Sequence, residues 1–158
     1  MAPLIFLLAA FGILWLADRF ILNNRLGLSF VGRAAMAVML TVTGASHFTN
    51  PGPMVEMMPE FVPAKLELVY FTGVCELLAV IGLVWNRFSR LASVMLIIFF
   101  LAILPANIAG SIKAVNFGGM EYGSWYLLFR VPLQIFFIWW VWFFGISVRR
   151  TVSPTSTG

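Results

Sequence analysis

Five apolar runs, each nearly free of charge, alternate with short polar or basic connections along the chain: 3–22, 28–46, 68–85, 91–108 and 126–146. At 1.5 Å per residue each run forms a helix ~27 to 32 Å long, close to the thickness of a hydrocarbon core. Helices are the expected spanning form, because an open strand would leave backbone polar groups unpaired in lipid. The pattern predicts an all-α integral membrane helical bundle, one unit over residues 1–150. The first run reads as a true span and not a cleaved leader, since nothing basic precedes it and no Ala-x-Ala site interrupts it. Residues 151–158, small and polar with one proline, read as a disordered cytoplasmic tail.

Composition sharpens this picture. Of 158 residues, 61% are hydrophobic and 10% charged, and the mean hydropathy is +0.98. A soluble domain is excluded. The ten Lys and Arg outnumber six Asp and Glu, but they are scattered, so a pI of 9.8 does not point to nucleic acid. Their positions instead predict topology. Arg19, Arg25, Arg33, Arg87, Arg90, Arg149 and Arg150 fall in alternate connections and the tail, whereas Lys65 and Lys113 fall in the opposite loops. The N-terminus is expected outside and the C-terminus in the cytoplasm, as in a bacterial inner membrane. Trp85 and Trp142 would then lie at the inner interface and Trp125 with Tyr126 at the outer one. The single cysteine, Cys75, excludes an intrachain disulfide or a Cys-x-x-Cys pair and reads as packing.

One outer connection is too apolar for a free loop. Residues 50–63 hold Pro51, Pro53, Pro59 and Pro63, interleaved with Met54, Met57, Met58 and Phe61 at helical spacing. They predict a short amphipathic turn that lies in the interface or folds back over the bundle. The second outer connection, 109–124, has three glycines and mixed polarity and predicts little.

Ionisable and amide groups inside spans cost a few kcal/mol or more in lipid, so each needs a partner or a purpose. Glu76 is the ninth residue of its run, ~12 Å below the outer end. Arg130 and Gln134 stand four residues apart in the fifth run, on one helix face. His47 ends the second run, one turn beyond Thr43 and Gly44, and Asn107 ends the fourth just after Pro105. Four helices thus bring His47, Glu76, Asn107, Arg130 and Gln134 to one level, which predicts a shared polar site opening outward. Gly44, Thr72 and Gly73 would allow close helix approach there. Pro132 frees the carbonyl of Leu128 and predicts a kink between Arg130 and Gln134.

Plainer readings stand beside this one. Glu76 and Arg130 would serve equally as a structural ion pair, His47 as an interfacial hydrogen-bonding residue and Asn107 as a helix cap. One histidine beside one acid is a weak metal signal, so no metal site is expected. Trp139, Trp140, Phe143 and Phe144 read as ordinary apolar bulk. No phosphate loop, nucleophile triad or haem attachment motif is present.

The strings Thr43-Gly44-Ala45-Ser46-His47-Phe48, Met57-Met58-Pro59 with Pro63, Thr72-Gly73-Val74-Cys75-Glu76, Leu104-Pro105-Ala106-Asn107 and Arg130-Val131-Pro132-Leu133-Gln134 resemble the DoxX-like family of small membrane proteins. The resemblance covers about residues 30 to 146. It implies a four-helix DoxX-like core plus one extra N-terminal transmembrane helix. Some members of that family are small subunits of a thiosulfate:quinone oxidoreductase or belong to redox-associated membrane complexes, and a distant animal relative assists receptor assembly. The chain carries no cofactor motif, so a redox role would depend on a quinone in the bundle or on a partner chain.

Three functional readings stay open. The first is a redox-associated subunit whose five polar residues hold a quinone-like or other small molecule and pass protons. The second is a non-catalytic assembly protein that contacts a membrane protein partner or a second copy of itself. The third is a lipid-binding or lipid-modifying protein with Glu76 as general acid or base.

Overall fold

The computed structural model of the chain describes residues 2–113 and 124–148. The basic pair Arg149 and Arg150, the tail 151–158 and most of the second outer connection lie outside the described residues. The described part is all helical: α1 Ala2–Phe20, α2 Leu28–Thr49, α3 Pro51–Met57, α4 Lys65–Val84, α5 Ser89–Ile112 and α6 Ser124–Trp142, the last running into a π-helical turn over Phe143–Ser147. Five helices among the described residues are long and apolar enough to cross a membrane. They leave Ile13, Phe20, Phe71, Leu91 and Trp125 outward and exposed, which suits a lipid surround and fits a membrane helical bundle.

Helix ends run past the apolar runs where chemistry at the ends allows it. α5 continues to Ile112 because Pro105 is tolerated inside it, as Pro132 is inside α6. Asn107 therefore lies within α5 and does not cap it. The α1–α2 turn is closed by Asp18, whose Oδ1 accepts the Leu26 N–H at 2.9 Å, with Asn23 and Asn24 in the left-handed region at φ 50° and 60°. Asn tolerates that conformation better than other side chains.

α2 is the central helix. Half of its spanning window is buried, against 17% for α1. Small residues set its neighbours' approach: the Phe144 ring sits directly over Gly32, and His47 and Phe48 sit over Gly73 of α4. Trp140 donates its Nε1–H to the Gly32 carbonyl at 3.0 Å, meets Phe11 edge-to-face and packs at a tilt against Phe144. It is a buried link between α6 and α2, not ordinary bulk.

Arg33 departs from its expected place in a connection. It lies one turn inside α2, 3% exposed. Its guanidinium donates to the Leu83 carbonyl at 2.8 Å, to Asn86 Oδ1 at 2.8 Å and to the Ser29 carbonyl at 3.2 Å. The cation thus meets the carbonyl end of α4, where orphan acceptors and the helix dipole favour positive charge.

The amphipathic turn of 50–63 folds back over the bundle. Asn50 breaks α2, Pro51 occupies the first turn of α3, and Met54 and Met58 are buried against Val69 of α4. Phe61 does not share that face. The helix stops at Met57, Met58 is extended, and Phe61 is 85% exposed. Lys113 at the end of α5 donates to the Met58 carbonyl at 3.2 Å and ties this segment across the top.

Candidate ligand-binding site

The start of α1, the end of α2, the start of α4, the end of α5 and the start of α6 converge at one end of the bundle, with α3 across them. They enclose a cavity of about 340 Å³. All five residues singled out in the sequence, His47, Glu76, Asn107, Arg130 and Gln134, line it. Glu76 stands eleven residues into α4 and Gln134 ten into α6, so the chamber reaches roughly 15 Å below the helix starts. Arg130 lies nearer the mouth and Asn107 little more than one turn from the end of α5. The rest of the wall is mostly apolar: Met39 and Leu40, Met54, Met57 and Met58, Phe99 and Phe100, and Phe137. Ala2, Pro3 and Phe6 of α1 complete it.

Glu76, 6% exposed, is held by α2 alone. Thr43 donates its hydroxyl to Oε2 at 2.6 Å, and His47 Nε2 faces Oε1 at 3.6 Å. Glu76 thus faces His47, and not Arg130, the ion-pair partner considered for it. The α2–α4 contact makes this pairing, because Gly73 lets the His47 side chain lie against α4. His47 Nδ1 lies 3.0 Å from the Val69 carbonyl and 3.2 Å from Thr72 Oγ1. A carbonyl can only accept, so Nδ1 carries the ring proton and Nε2 is left facing the carboxyl. Thr72 donates its own proton to the same carbonyl at 2.8 Å, which leaves its oxygen as a second acceptor for Nδ1–H.

On the other side, Arg130 Nη2 donates to Asn107 Oδ1 at 3.0 Å. A guanidinium only donates, which fixes which end of the amide is oxygen. Asn107 is 6% exposed, and its Nδ2 is buried with no hydrogen-bond partner. Gln134, 3% exposed, donates Nε2–H to the Phe100 carbonyl at 2.8 Å and so joins α6 to α5 inside the chamber. α6 runs as continuous helix through Pro132, and its irregular turn comes later, at Phe143–Ser147. Among the described residues no group of three or more His, Cys, Asp or Glu side chains forms a metal-holding cluster.

One participant is silent in the sequence: Thr43, one turn before His47, makes the shortest contact to Glu76. Away from the chamber, Asp18 and Arg33 are also buried ionisable groups inside apolar runs, the same signal that marks Glu76. The contribution of α1 to the wall had no signal, since Ala2, Pro3 and Phe6 are ordinary span residues.

No curated protein matches the chain, and no solved structure does. Residues 36–145, from the middle of α2 into the π-helical turn and without α1, match a family model described as a domain of unknown function, DUF8561. With well over half of its length matched, the chain belongs to that family.

Proposed function

We propose that this protein holds a small, mostly apolar molecule with a polar head, quinone-like in character, and works as a redox-associated membrane subunit of the DoxX-like kind. One observation carries the reading: polar groups from four helices converge on a chamber whose walls are otherwise Met, Leu and Phe. Its volume of about 340 Å³ falls within the ~300–1,000 Å³ of small-molecule sites. A quinone fits the donor set, since Asn107 Nδ2 is a buried donor in want of an acceptor. His47, Glu76, Asn107, Arg130 and Gln134 would hold the head, and a bound quinone would supply the electron-carrying chemistry that the side chains lack.

In this reading α2, α4, α5 and α6 are the DoxX-like core and α1 is an added helix closing the chamber. The cavity lies at the end away from Arg19, Arg25, Arg87 and Arg90, which under the positive-inside rule supports the reading that it opens on the outer face, in this proposal that of a bacterial inner membrane. Met54 of α3 and Met58 just after it favour this reading over a docking surface for assembly, because both are 8% exposed and face inward.

Native mass spectrometry of the purified protein tests the proposal. It should report an adduct with the mass of a quinone or similar small molecule, lost in Asn107→Leu while the protein still elutes as wild type. Phospholipid adducts alone would favour the lipid-binding reading. A companion chain with no small molecule would favour assembly, and both outcomes count against the proposal.

A further inference from the structure

The edge of the chamber formed by His47 and Glu76 has a chemistry of its own. Nδ1 of His47 is committed to the Val69 carbonyl and Thr72 Oγ1, so only Nε2 takes part in exchange. Oε2 of Glu76 accepts from Thr43, and Oε1 is the oxygen turned toward the ring. The two free atoms lie 3.6 Å apart, too far for a hydrogen bond to each other. Burying a net charge at this depth is costly, and the edge is neutral when it holds one proton, on Nε2 or on Oε1. In either state it offers one donor and one acceptor side by side. The charged groups around it are His47 on α2, Glu76 on α4 and Arg130 on α6. α3 and α5 add Met side chains and Asn107, none of which titrates.

We infer that this edge recognises a hydroxyl group on an apolar molecule, so that the ligand of the chamber is of the phenol, quinol or alcohol class. A hydroxyl oxygen ~2.8 Å from both atoms accepts from whichever one holds the proton and donates to the other. A ketone or ether oxygen only accepts and leaves the second atom unpaired. Because the hydroxyl bridges both states, it also lets the proton pass between Oε1 and Nε2. The ligand oxygen takes the proton from one while giving its own to the other, and its charge and composition are unchanged. This inference rests on the cavity reading above and narrows it: of a quinone and its reduced form, the reduced form is preferred at this edge.

His47 is the only histidine in the chain, so its imidazole nitrogens give unambiguous NMR signals in the full-length protein. The probes are para-pentylphenol and its methyl ether, which match in shape except for the hydroxyl proton and the added methyl. The expected spectrum shows Nδ1 protonated, and the phenol shifts the Nε2 resonance saturably at one tenth or less of the ether concentration needed. Equal response to the two probes would overturn the hydroxyl inference and leave the cavity reading standing, with water alone filling the edge. A protonated Nε2 with a bare Nδ1 would overturn it as well. No response to either probe would overturn both readings.

Discussion

Alanine at Gly73 tests the contact that creates the His47–Glu76 pair. A Cβ built there would lie 2.7 Å from His47 Cβ and 3.0 Å from Phe48 Cε2. The nearer atom is fixed to the α2 backbone and has no rotamer to escape into, so α2 and α4 must part by about 0.7 Å or more to reach ordinary contact. Overpacking of this kind costs about 1–3 kcal/mol, roughly 2 to 12 °C in melting temperature for a chain of this size. The same displacement moves His47 away from the helix that carries Glu76 and lengthens the 3.6 Å pair. Gly12→Ala is the control: nothing lies within 4 Å of its Cβ position, and the helix gains up to about 1 kcal/mol of propensity. Thermal unfolding in detergent should therefore rank Gly12→Ala at or above wild type and Gly73→Ala below it, with altered His47 imidazole signals only in the latter. A Gly73→Ala protein as stable as Gly12→Ala, with wild-type imidazole signals, would refute the close-approach argument.

Other outcomes follow from the same contacts. Arg33→Lys should lose about 1.5–3 kcal/mol, because one ammonium cannot serve both the Leu83 carbonyl and Asn86 as the guanidinium fork does; a melting temperature equal to wild type would contradict this. Trp140→Phe removes the bond to the Gly32 carbonyl and should cost about 1 kcal/mol, read as a shift in the same thermal assay. Asn107→Asp keeps an oxygen for Arg130 and deletes the unpartnered donor, so stability should hold or rise while the co-purified small molecule drops at least tenfold by mass spectrometry. With Cys75 replaced by Ala, a membrane-impermeant maleimide added to intact cells should label Gly52→Cys and spare Arg87→Cys, both exposed positions; the reverse labelling would invert the proposed topology.

The helices and the gathering of the site were legible in the residue order for a simple reason. Lipid offers no hydrogen bonds, so long apolar runs must be helices, and Glu76, Gln134 and Asn107 inside such runs must turn toward one another. Those constraints act on each residue alone or at fixed helical spacing, and they placed all five candidates around one chamber. Pairing is a different matter, because it depends on which helix faces cross and how closely. Glu76 was as compatible with Arg130 as with His47 until Gly73 let α2 settle against α4, and Arg130 then went to Asn107. Arg33 shows the same divide. Its charge in the residue order is a topology signal, and only the position of the carbonyl end of α4 makes it a buried clamp. The fold back of Met54 and Met58 over the bundle, and the closure of the wall by α1, likewise arise from distances between segments that spacing along the chain does not contain.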